Sequence, residues 1–515
     1  MTTKWDRPRL MSPWPRAHGL GVVIGLCAAW SSAAGVLAAE ATLSAAIERL
    51  VSSAGAMKIG VRIEQLSPAP AVVFEHNGDV PFKPASNQKI LTSAAALSML
   101  SPDFTYRTIL AVRGDDLVII GAGDPSCGDP RMAQAAREPV TAMFRAWGER
   151  LLAAGIDHLD GDLLFDDSVF DDEVIRQSWV KQFNLQEWYC APVGGLNFND
   201  NCIDVVVRPG KGGVGTPAEV LLLPATSWVT LKNTAKTAKE GEPIFRRLGD
   251  GPITIWVSGS VSKPNSPTEP RSIAITDPGM FFASVCRSAL AGQGIRIAGQ
   301  TRRTRVRGQD GKLPADLRVI AVHERKIADV LWRVDKSSIN MFAEAVVKTL
   351  GAYAGREDAP AVGSYENGRA VLTRFLDRLG VPPADYVIDD GSGLSHDNRV
   401  TPAMMTAILK YMNAHPRRKE WWANLAVPGE QVGTLRRRMK DLAGQVFAKT
   451  GTIKGVSTLS GYVVGAEGRV YAFSVLCNET ERAKVSPHTL QDSICRQLAS
   501  WGAPSAATSK TQKGG

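Results

Sequence analysis

The chain has 515 residues, with 60 Lys and Arg against 51 Asp and Glu, and a formal net charge of +9 at pH 7. This length exceeds what a single hydrophobic core fills, so we expect two or three domains. The positive charge is dispersed, and the short basic runs at 417–419 and 436–438 have no accompanying nucleic-acid motif, which favours solvated faces and argues against a nucleic-acid-binding protein.

The first 39 residues have the pattern of an export signal. Basic residues come first, residues 19–36 are apolar, and the small residues Ala38 and Ala39 suit cleavage. An uncleaved membrane anchor is the alternative, but Trp30 and the two serines after it interrupt the apolar run and disfavour a membrane span. We therefore expect a secreted protein that loses residues 1–39.

A buried helix is predicted after Pro84, where the sequence is rich in Ala and Leu and free of Gly and Pro. Ser86 and Lys89 stand three residues apart at its start, so both side chains project from one face. A buried lysine amine can have its pKa lowered enough to remove the proton of a serine. A second Ser-x-x-Lys, from Ser260 to Lys263, lies in a strand-like run and lacks this setting.

The other elements before residue 300 are mostly strands, and they end in a small all-β module. The predicted strands are 58–66, 71–75, 105–112, 116–120, 161–165, 204–208, 220–223, 227–232 and 253–257. Helices are predicted at 139–154 and 278–291, and a loop at 189–201.

Six cysteines lie beyond residue 39, at 127, 190, 202, 286, 477 and 495. None forms Cys-x-x-Cys and no pair of histidines has metal-ligand spacing, so no zinc site is predicted. In an oxidising compartment Cys190 and Cys202 could pair, because they flank one loop-like stretch. Buried free thiols are the alternative.

Helical patterning dominates residues 327–350 and is interrupted by a turn. Ser338 and Asn340 stand two residues apart on this turn, which enters an amphipathic helix at 341–350. By itself the pattern is typical of a helix N-cap and of nothing more. A turn rich in Gly and Ser at 389–395 then precedes a helix at 402–412.

A third polar cluster ends a β-like run near the C-terminus. Lys449 and Thr450 are followed by Gly451, which lets another backbone come close, and then by Thr452. Lys449 is therefore expected on an edge strand of an antiparallel sheet, bordering solvent. The elements predicted after it are strands at 456–464 and 469–476, a helix at 487–501 and a disordered tail at 504–515.

Ser-x-x-Lys, Ser-x-Asn and Lys-Thr-Gly occur here in the order that is known for β-lactamases and penicillin-binding proteins. With further motifs along nearly the whole chain, they resemble the class C low-molecular-mass penicillin-binding proteins, the D-alanyl-D-alanine carboxypeptidase/endopeptidase family of penicillin-binding protein 4. The stretches that carry the resemblance are 84–89, 123–125, 166–171, 189–193, 390–395 and 449–452. Ile339, where the family often has Asp, is a departure.

The resemblance implies an α/β fold, namely a transpeptidase- or β-lactamase-like α/β sandwich with an antiparallel sheet and two nested inserted accessory domains. The catalytic domain would comprise residues 40–114 and 318–503. An accessory domain at 115–205 and 266–317 would interrupt it, and a small β domain at 206–265 would be nested in that insert. The long separation of Lys89 from Ser338 suits such insertions.

The resemblance also implies a role for each site residue. Ser86 would attack the carbonyl between two D-alanines, with Lys89 as general base. Ser338 would relay a proton to the leaving amine beside Lys449, and Asn340 would hold the substrate amide. The substrate-binding residues that the resemblance implies are Thr450, Gly451 and Thr452, with the threonine hydroxyls receiving the terminal carboxylate of the substrate. The N–H groups of Ser86 and Thr452 would form the oxyanion hole.

A further implication concerns Asp166, the first of three acids after the strand that ends at Phe165. The resemblance suggests that an aspartate of this motif faces the catalytic cleft and pairs with a free ammonium on the stem peptide. The other interpretation, common for clusters such as Asp166, Asp167 and Asp171, is turn capping at the end of a strand.

The expected function is a serine-type D-alanyl-D-alanine carboxypeptidase, with endopeptidase activity, that acts on peptidoglycan stem peptides in the periplasm and is inhibited by β-lactams. No metal, cofactor or nucleic acid is expected, while loose inner-membrane association and the oligomeric state stay open. Length and inserted domains disfavour a β-lactamase, and the lack of Gly-x-Ser-x-Gly disfavours a Ser-His-Asp hydrolase. A catalytically inactive wall-binding protein is the non-enzyme alternative, disfavoured because all three motifs are intact.

Overall fold

A computed structural model describes residues 42–265, 269–308, 310–355 and 361–501. The predicted export signal at 1–39 and the predicted tail at 504–515 lie outside these residues. Within them, no helix combines the length and the hydrophobicity needed to cross a membrane. The α-helices are 42–53, Gln88–Met99, Pro130–Ala136, Ala142–Ala153, Gln177–Gln182, Pro278–Ala291, Ile327–Lys336, Asn340–Tyr353, Tyr365–Arg378, Pro402–Ala414, Arg418–Asn424 and Pro487–Ser500.

The first sheet is antiparallel throughout. Its strands, in order across the sheet, are Val446–Ile453, Val456–Val464, Val470–Asn478, Lys58–Ser67 and Ala71–His76. Val456–Val464 and Val470–Asn478 are buried on both faces up to their last residue. A sheet that is apolar on both faces must be covered by other elements on both sides.

Helices provide this cover. On one face, the helix at 42–53 and the helix Pro487–Ser500 share an apolar core with the sheet. On the other face, Gln88–Met99 and Pro402–Ala414 pack into a second core that includes strand residues of the same sheet. The result is an α/β sandwich in which the helix that follows Ser86 lies directly against the sheet.

The second sheet is mixed. Its strands, in order, are Thr301–Arg303, Leu163–Asp166, Asp116–Ile120, Thr105–Arg113 and Arg318–Lys326. Leu163–Asp166 is parallel to both of its neighbours, and the remaining pairs are antiparallel. Two smaller sheets contain the strands Cys202–Arg208, Glu219–Leu223 and Arg271–Ala274, and the strands Val229–Asn233, Lys236–Thr237, Pro243–Leu248 and Ile253–Val261.

The domain division stays a prediction, and strand pairing bears on its boundaries. Boundaries at 114 and 318 would place Thr105–Arg113 and Arg318–Lys326 in the catalytic domain. Both strands instead pair within the second sheet, and Thr105–Arg113 pairs directly with Asp116–Ile120. We therefore propose that the boundaries lie at the outer ends of these two strands, near Thr105 and Lys326.

The predicted fold class is confirmed, since the chain is a mixed α/β protein with a helix-covered antiparallel sheet. Several elements are absent from the sequence prediction, and two of them have weak hydrophobic patterns. The strand Pro243–Leu248 alternates only between half-buried and exposed residues, so its hydrophobic pattern is weak. The helix Pro130–Ala136 buries none of its residues and therefore shows no apolar stripe.

The six cysteines of the described residues are buried free thiols. Cys190 and Cys202 therefore do not pair, and the alternative of buried thiols describes them. Each lies in or beside an apolar core, where a thiol packs as a small hydrophobic side chain.

Candidate active site

Ser86 lies in a one-turn helix, Ala85–Asn87, that leads into the helix Gln88–Met99. Ala85 has a φ of 46°, a conformation that costs energy in residues other than glycine. The turn at 391–393 packs so tightly here that a Cβ on Gly393, itself at φ 79°, would overlap the Ala85 carbonyl oxygen. This packing holds the backbone of Ser86 at the start of the helix, where the sequence predicts it.

Lys89 is fully buried, and its amine contacts three oxygen atoms. Nζ lies 3.0 Å from Ser86 Oγ, 2.7 Å from Asn340 Oδ1 and 2.8 Å from the Ser392 carbonyl oxygen. Asn340 in turn donates from Nδ2 to the Tyr189 carbonyl oxygen at 2.9 Å. One amine thus joins the Ser-x-x-Lys and Ser-x-Asn motifs.

Burial lowers the pKa of the Lys89 amine from 10.5 to about 8, because the charged form loses its hydration. The carboxylates of Glu344, Asp390 and Asp335 act in the opposite direction and limit the fall in pKa. Near neutral pH a fraction of Lys89 is therefore the neutral amine. Only that form can accept the proton of Ser86.

Ser338 and Lys449 form a second pair. Ser338 stands between the helices Ile327–Lys336 and Asn340–Tyr353 with a φ of 63°. Lys449 Nζ donates to Ser338 Oγ at 2.8 Å and to the Thr450 carbonyl oxygen at 2.8 Å. A left-handed backbone at a residue other than glycine is typical of functional turns, where surrounding contacts hold the strain.

Lys449 lies on the edge strand Val446–Ile453, as predicted, but its side chain does not border solvent. Ala426 pairs with Ala448 along the open edge of the strand and covers it. Burial therefore lowers the pKa of Lys449 well below 10.5, and the nearby charge of Lys89 lowers it further. The sequence pattern misses this burial because Ser338, which the Lys449 amine contacts, comes from another part of the chain.

Gly451 lets the edge strand approach the backbone of Ser86. A Cβ at this position would lie 2.9 Å from Ser86 N and overlap Thr458 Oγ1, so no larger residue fits. Thr450 and Thr452 flank it and line a cavity in front of Ser86. The third motif thus meets the other two at one place.

This cavity has a volume of about 700 Å³. Its wall carries the hydroxyls of Ser86 and Ser338, those of the two threonines, and the cationic side chains of Arg438 and Lys454. Among the described residues, no Asp or Glu lines it. A wall of hydroxyls and cations suits an anionic group on the ligand.

Arg438 belongs to the run 436–438, which the sequence indicates as a solvated face. Arg436 and Arg437 are exposed, in agreement with that interpretation. Arg438 instead pairs with Asp492 at 2.5 Å and borders the cavity. The sequence cannot distinguish the three arginines, because the partner that orients Arg438 lies on the C-terminal helix.

The predicted accessory segment at 115–205 contributes to the same cavity. Phe183, Trp188 and Tyr189 lie in its wall. Trp179 of the same segment donates from Nε1 to Asp390 Oδ2 at 2.9 Å, below the turn that contacts Lys89. The segment therefore helps to hold the site together and shapes the space that a ligand enters.

Glu344, which the sequence analysis does not single out, supports the turn beneath Lys89. Its fully buried carboxylate accepts the N–H groups of Gly391 at 3.0 Å and Ser392 at 2.7 Å. Burial raises the pKa of Glu344 to about 8. A charged residue in the middle of the apolar helix at 341–350 is the signal that could have identified it, because unpaired charges are rarely buried.

Asp166 lies away from this cavity, at the end of a strand of the second sheet. One oxygen of its buried carboxylate accepts the N–H and hydroxyl of Ser168, and the other accepts the N–H groups of Val306 and Arg307. Four donors at 2.6–2.9 Å satisfy this carboxylate, which favours the capping interpretation over a substrate ammonium. The structure does not bring Asp166 together with Ser86.

Comparison with solved structures places the fold among known proteins. The crystal structure of penicillin binding protein 4 (dacB) from Haemophilus influenzae matches with a TM-score of 0.70 at 20% identity, and the match covers 88% of this chain and 99% of that chain. The structure of that protein complexed with a β-lactam matches with a TM-score of 0.66 at 21% identity, with the same coverage. At this identity the likeness shows the fold alone.

Comparison with protein sequences extends over most of the chain. The chain is 31% identical over 456 residues to the D-alanyl-D-alanine carboxypeptidase of Actinomadura sp. (strain R39). This alignment covers 83% of the chain and 79% of the relative. The chain is 24% identical over 425 residues to D-alanyl-D-alanine carboxypeptidase DacB of Haemophilus influenzae, in an alignment that covers 79% of this chain and 82% of that relative. The model of the D-Ala-D-Ala carboxypeptidase 3 (S13) family matches residues 43–499. The family that the three motifs predict is therefore confirmed: the chain belongs to the D-Ala-D-Ala carboxypeptidase 3 (S13) family of peptidases.

Proposed function

We propose that the chain trims D-alanine from peptidoglycan stem peptides through an acyl-enzyme on Ser86, and that β-lactams inhibit it by acylating the same serine. The observation that carries the proposal is the fully buried Lys89 amine, 3.0 Å from Ser86 Oγ and with a pKa of about 8. A hydroxyl beside such an amine is an activated nucleophile.

In the acylation step, neutral Lys89 takes the proton of Ser86, and Oγ attacks the carbonyl carbon between the two D-alanines. Negative charge then forms on the carbonyl oxygen. The N–H groups of Ser86 and Thr452 would stabilise it. The close approach of Gly451 to Ser86 N supports this assignment, because it leaves no side chain between the two backbones.

The leaving D-alanine amine needs a proton when the C–N bond breaks. Ser338 would donate one and regain it from Lys449, whose Nζ lies 2.8 Å from Ser338 Oγ. The lowered pKa of Lys449 favours this transfer. After this step Lys89 holds the proton from Ser86, and Lys449 is the neutral amine. Water then attacks the ester on Ser86, neutral Lys449 takes the proton of the water through Ser338, and Lys89 returns its proton to Ser86 Oγ as the trimmed peptide leaves.

The terminal carboxylate of the substrate would bind beside Thr450 and Thr452. Their hydroxyls line the cavity, and Lys449 lies behind them. The lack of acids among the described wall residues supports this placement, since a carboxylate there would repel the substrate. Endopeptidase activity on cross-linked peptides and a periplasmic location stay predictions of the sequence analysis.

Purified protein incubated with a pentapeptide muropeptide monomer and a cross-linked dimer tests the proposal, with products identified by mass. We expect the monomer to lose one D-alanine, and cleavage of the dimer would add endopeptidase activity. Rapid turnover of nitrocefin with untouched muropeptides would indicate a β-lactamase instead. Failure both to process muropeptides and to bind fluorescent penicillin would indicate an inactive wall-binding protein.

The rate of acylation by fluorescent penicillin should rise with pH. Lys89 acts as a base only when neutral, and below its pKa of about 8 the neutral fraction falls about tenfold for each pH unit. We expect the second-order rate constant to rise between roughly pH 6 and 8 and to level off above that. Circular dichroism at each pH serves as the control for folding. A flat profile, or one that falls as pH rises, would contradict the role of Lys89.

A further inference from the structure

A compact cluster of chemically reactive side chains lies outside the cavity at Ser86. Asp124, Cys127 and His323 each bring one ligand atom within 4.8 Å of the others. Asp124 and Cys127 lie just after the strand Asp116–Ile120, and His323 lies on the strand Arg318–Lys326. Asp124 and Cys127 are almost fully buried, while the His323 side chain keeps 23% of its exposure.

Each residue directs one possible ligand atom toward the others. Asp124 Oδ1 accepts the N–H of Ser126 at 2.8 Å and its hydroxyl at 2.6 Å, which leaves Oδ2 facing the cluster. The Cys127 thiol donates to Oδ2 at 3.6 Å, a proton that a metal ion would replace, and His323 Nε2 lies 4.0 Å from the same oxygen. His323 Nε2 is buried and has no hydrogen-bond partner among the described residues.

Two of the three separations are close to those around a tetrahedral zinc ion, and the third, between Cys127 Sγ and His323 Nε2, is at most 4.8 Å. Zinc bonds of about 2.0–2.3 Å to oxygen, nitrogen and sulfur hold the ligand atoms roughly 3.3–3.8 Å apart. The Sγ–Oδ2 distance already lies in this range, and the Nε2–Oδ2 distance exceeds it by little. An orphaned buried imidazole nitrogen is costly without a partner, and a metal ion would supply one.

We propose that Asp124, Cys127 and His323 form a zinc site, with solvent as the fourth ligand. On binding, the Cys127 thiol releases its proton to solvent and coordinates as thiolate. Thiolate and imidazole favour zinc over magnesium or calcium, which prefer oxygen ligands. The positive charge of the Arg325 guanidinium lies near enough to interact with both Cys127 and His323. It opposes a cation, but the carboxylate and thiolate together carry two negative charges.

The site would have a structural role. None of its residues lines the cavity at Ser86. It would fasten the turn at 123–127 to the strand Arg318–Lys326, which leads directly into the helix before Ser338. Asp129, two residues beyond Cys127, already pairs with Arg333 of that helix at 2.7 Å. The sequence predicts no zinc because Cys127 and His323 lie far apart in the chain and show no ligand spacing.

Titration of the metal-free full chain with Co²⁺ alone tests the proposal, since a cobalt–thiolate bond produces a charge-transfer band in the near ultraviolet. We expect one equivalent of Co²⁺ to produce this band and Zn²⁺ to displace it. Cys127→Ser should abolish the band. His323→Ala should weaken Co²⁺ binding by more than about tenfold. Loss of a residue that only hydrogen-bonds to a metal ligand already costs about tenfold or more, and loss of a direct ligand should cost more.

Cys286→Ser is the matched control, because Cys286 is a buried thiol of the described residues outside the cluster. Cys286→Ser should keep the band. We also expect Zn²⁺ to raise the melting temperatures of both the parent and Cys286→Ser. His323 is partly exposed, so His323→Ala decides the question even if Cys127→Ser fails to fold. A missing band in the parent, or parental Co²⁺ affinity in His323→Ala, would overturn the proposal.

Discussion

Ser86→Ala is expected to abolish covalent labelling by fluorescent penicillin and to stop release of D-alanine from muropeptides. The substitution removes the attacking oxygen, and loss of the nucleophile costs another serine peptidase a factor on the order of 10⁶. Folding should change little. Ser86 Oγ accepts one hydrogen bond from Lys89, which keeps its bonds to Asn340 and Ser392, so the loss is about 1 kcal/mol.

Ser260→Ala is the matched control for this experiment. Ser260 begins the second Ser-x-x-Lys of the chain but lies in the strand Ile253–Val261, far in sequence from the other motifs. This variant should label as the parent does, and mass mapping of the parent adduct should locate it on Ser86. An adduct on Ser260 or Ser338, or labelling that survives in Ser86→Ala, would refute the assignment of the nucleophile.

Elements whose apolar residues follow a regular pattern and are buried include some that the sequence predicts well. The strands Asp116–Ile120 and Val456–Val464 and the helix Pro278–Ala291 have the predicted bounds. Each has a strong local signal, because the strands are bounded by turn residues and Asp277 caps the helix by accepting the N–H of Met280. The three polar motifs stand at the starts or edges of such elements, and for this reason their approximate placement is also predictable.

Properties that depend on distant segments are not predictable from local patterns. Glu344 finds its partners in the turn at 391–393, and the buried amine of Lys449 contacts Ser338, more than a hundred residues earlier in the chain. Asp166 meets its donors Val306 and Arg307 across an inserted stretch of more than a hundred residues. In each case the partner is set by strand order and by the packing of loops, which neither hydrophobic period nor residue spacing encodes.

Lys89→Arg is expected to lower the rate of acylation by about 10²–10⁴-fold, the usual contribution of a general base. Arginine stays protonated at every accessible pH and cannot accept the Ser86 proton, although it keeps the positive charge. The residual rate should therefore lose the rise with pH that the parent shows below about pH 8. A merely structural role for Lys89 would lower the rate without changing the shape of this profile.

Lys348→Arg is the matched control for Lys89→Arg, because it also places a guanidinium where a lysine side chain is fully buried. Lys348 Nζ pairs with Asp171 Oδ1 at 2.6 Å and does not line the cavity at Ser86. We expect Lys348→Arg to keep the parental pH profile, even if its melting temperature falls, since it retains Lys89 as the base. Parental acylation in Lys89→Arg, or an equal loss of acylation in both variants at equal stability, would show that the Lys89 amine is not the base that activates Ser86.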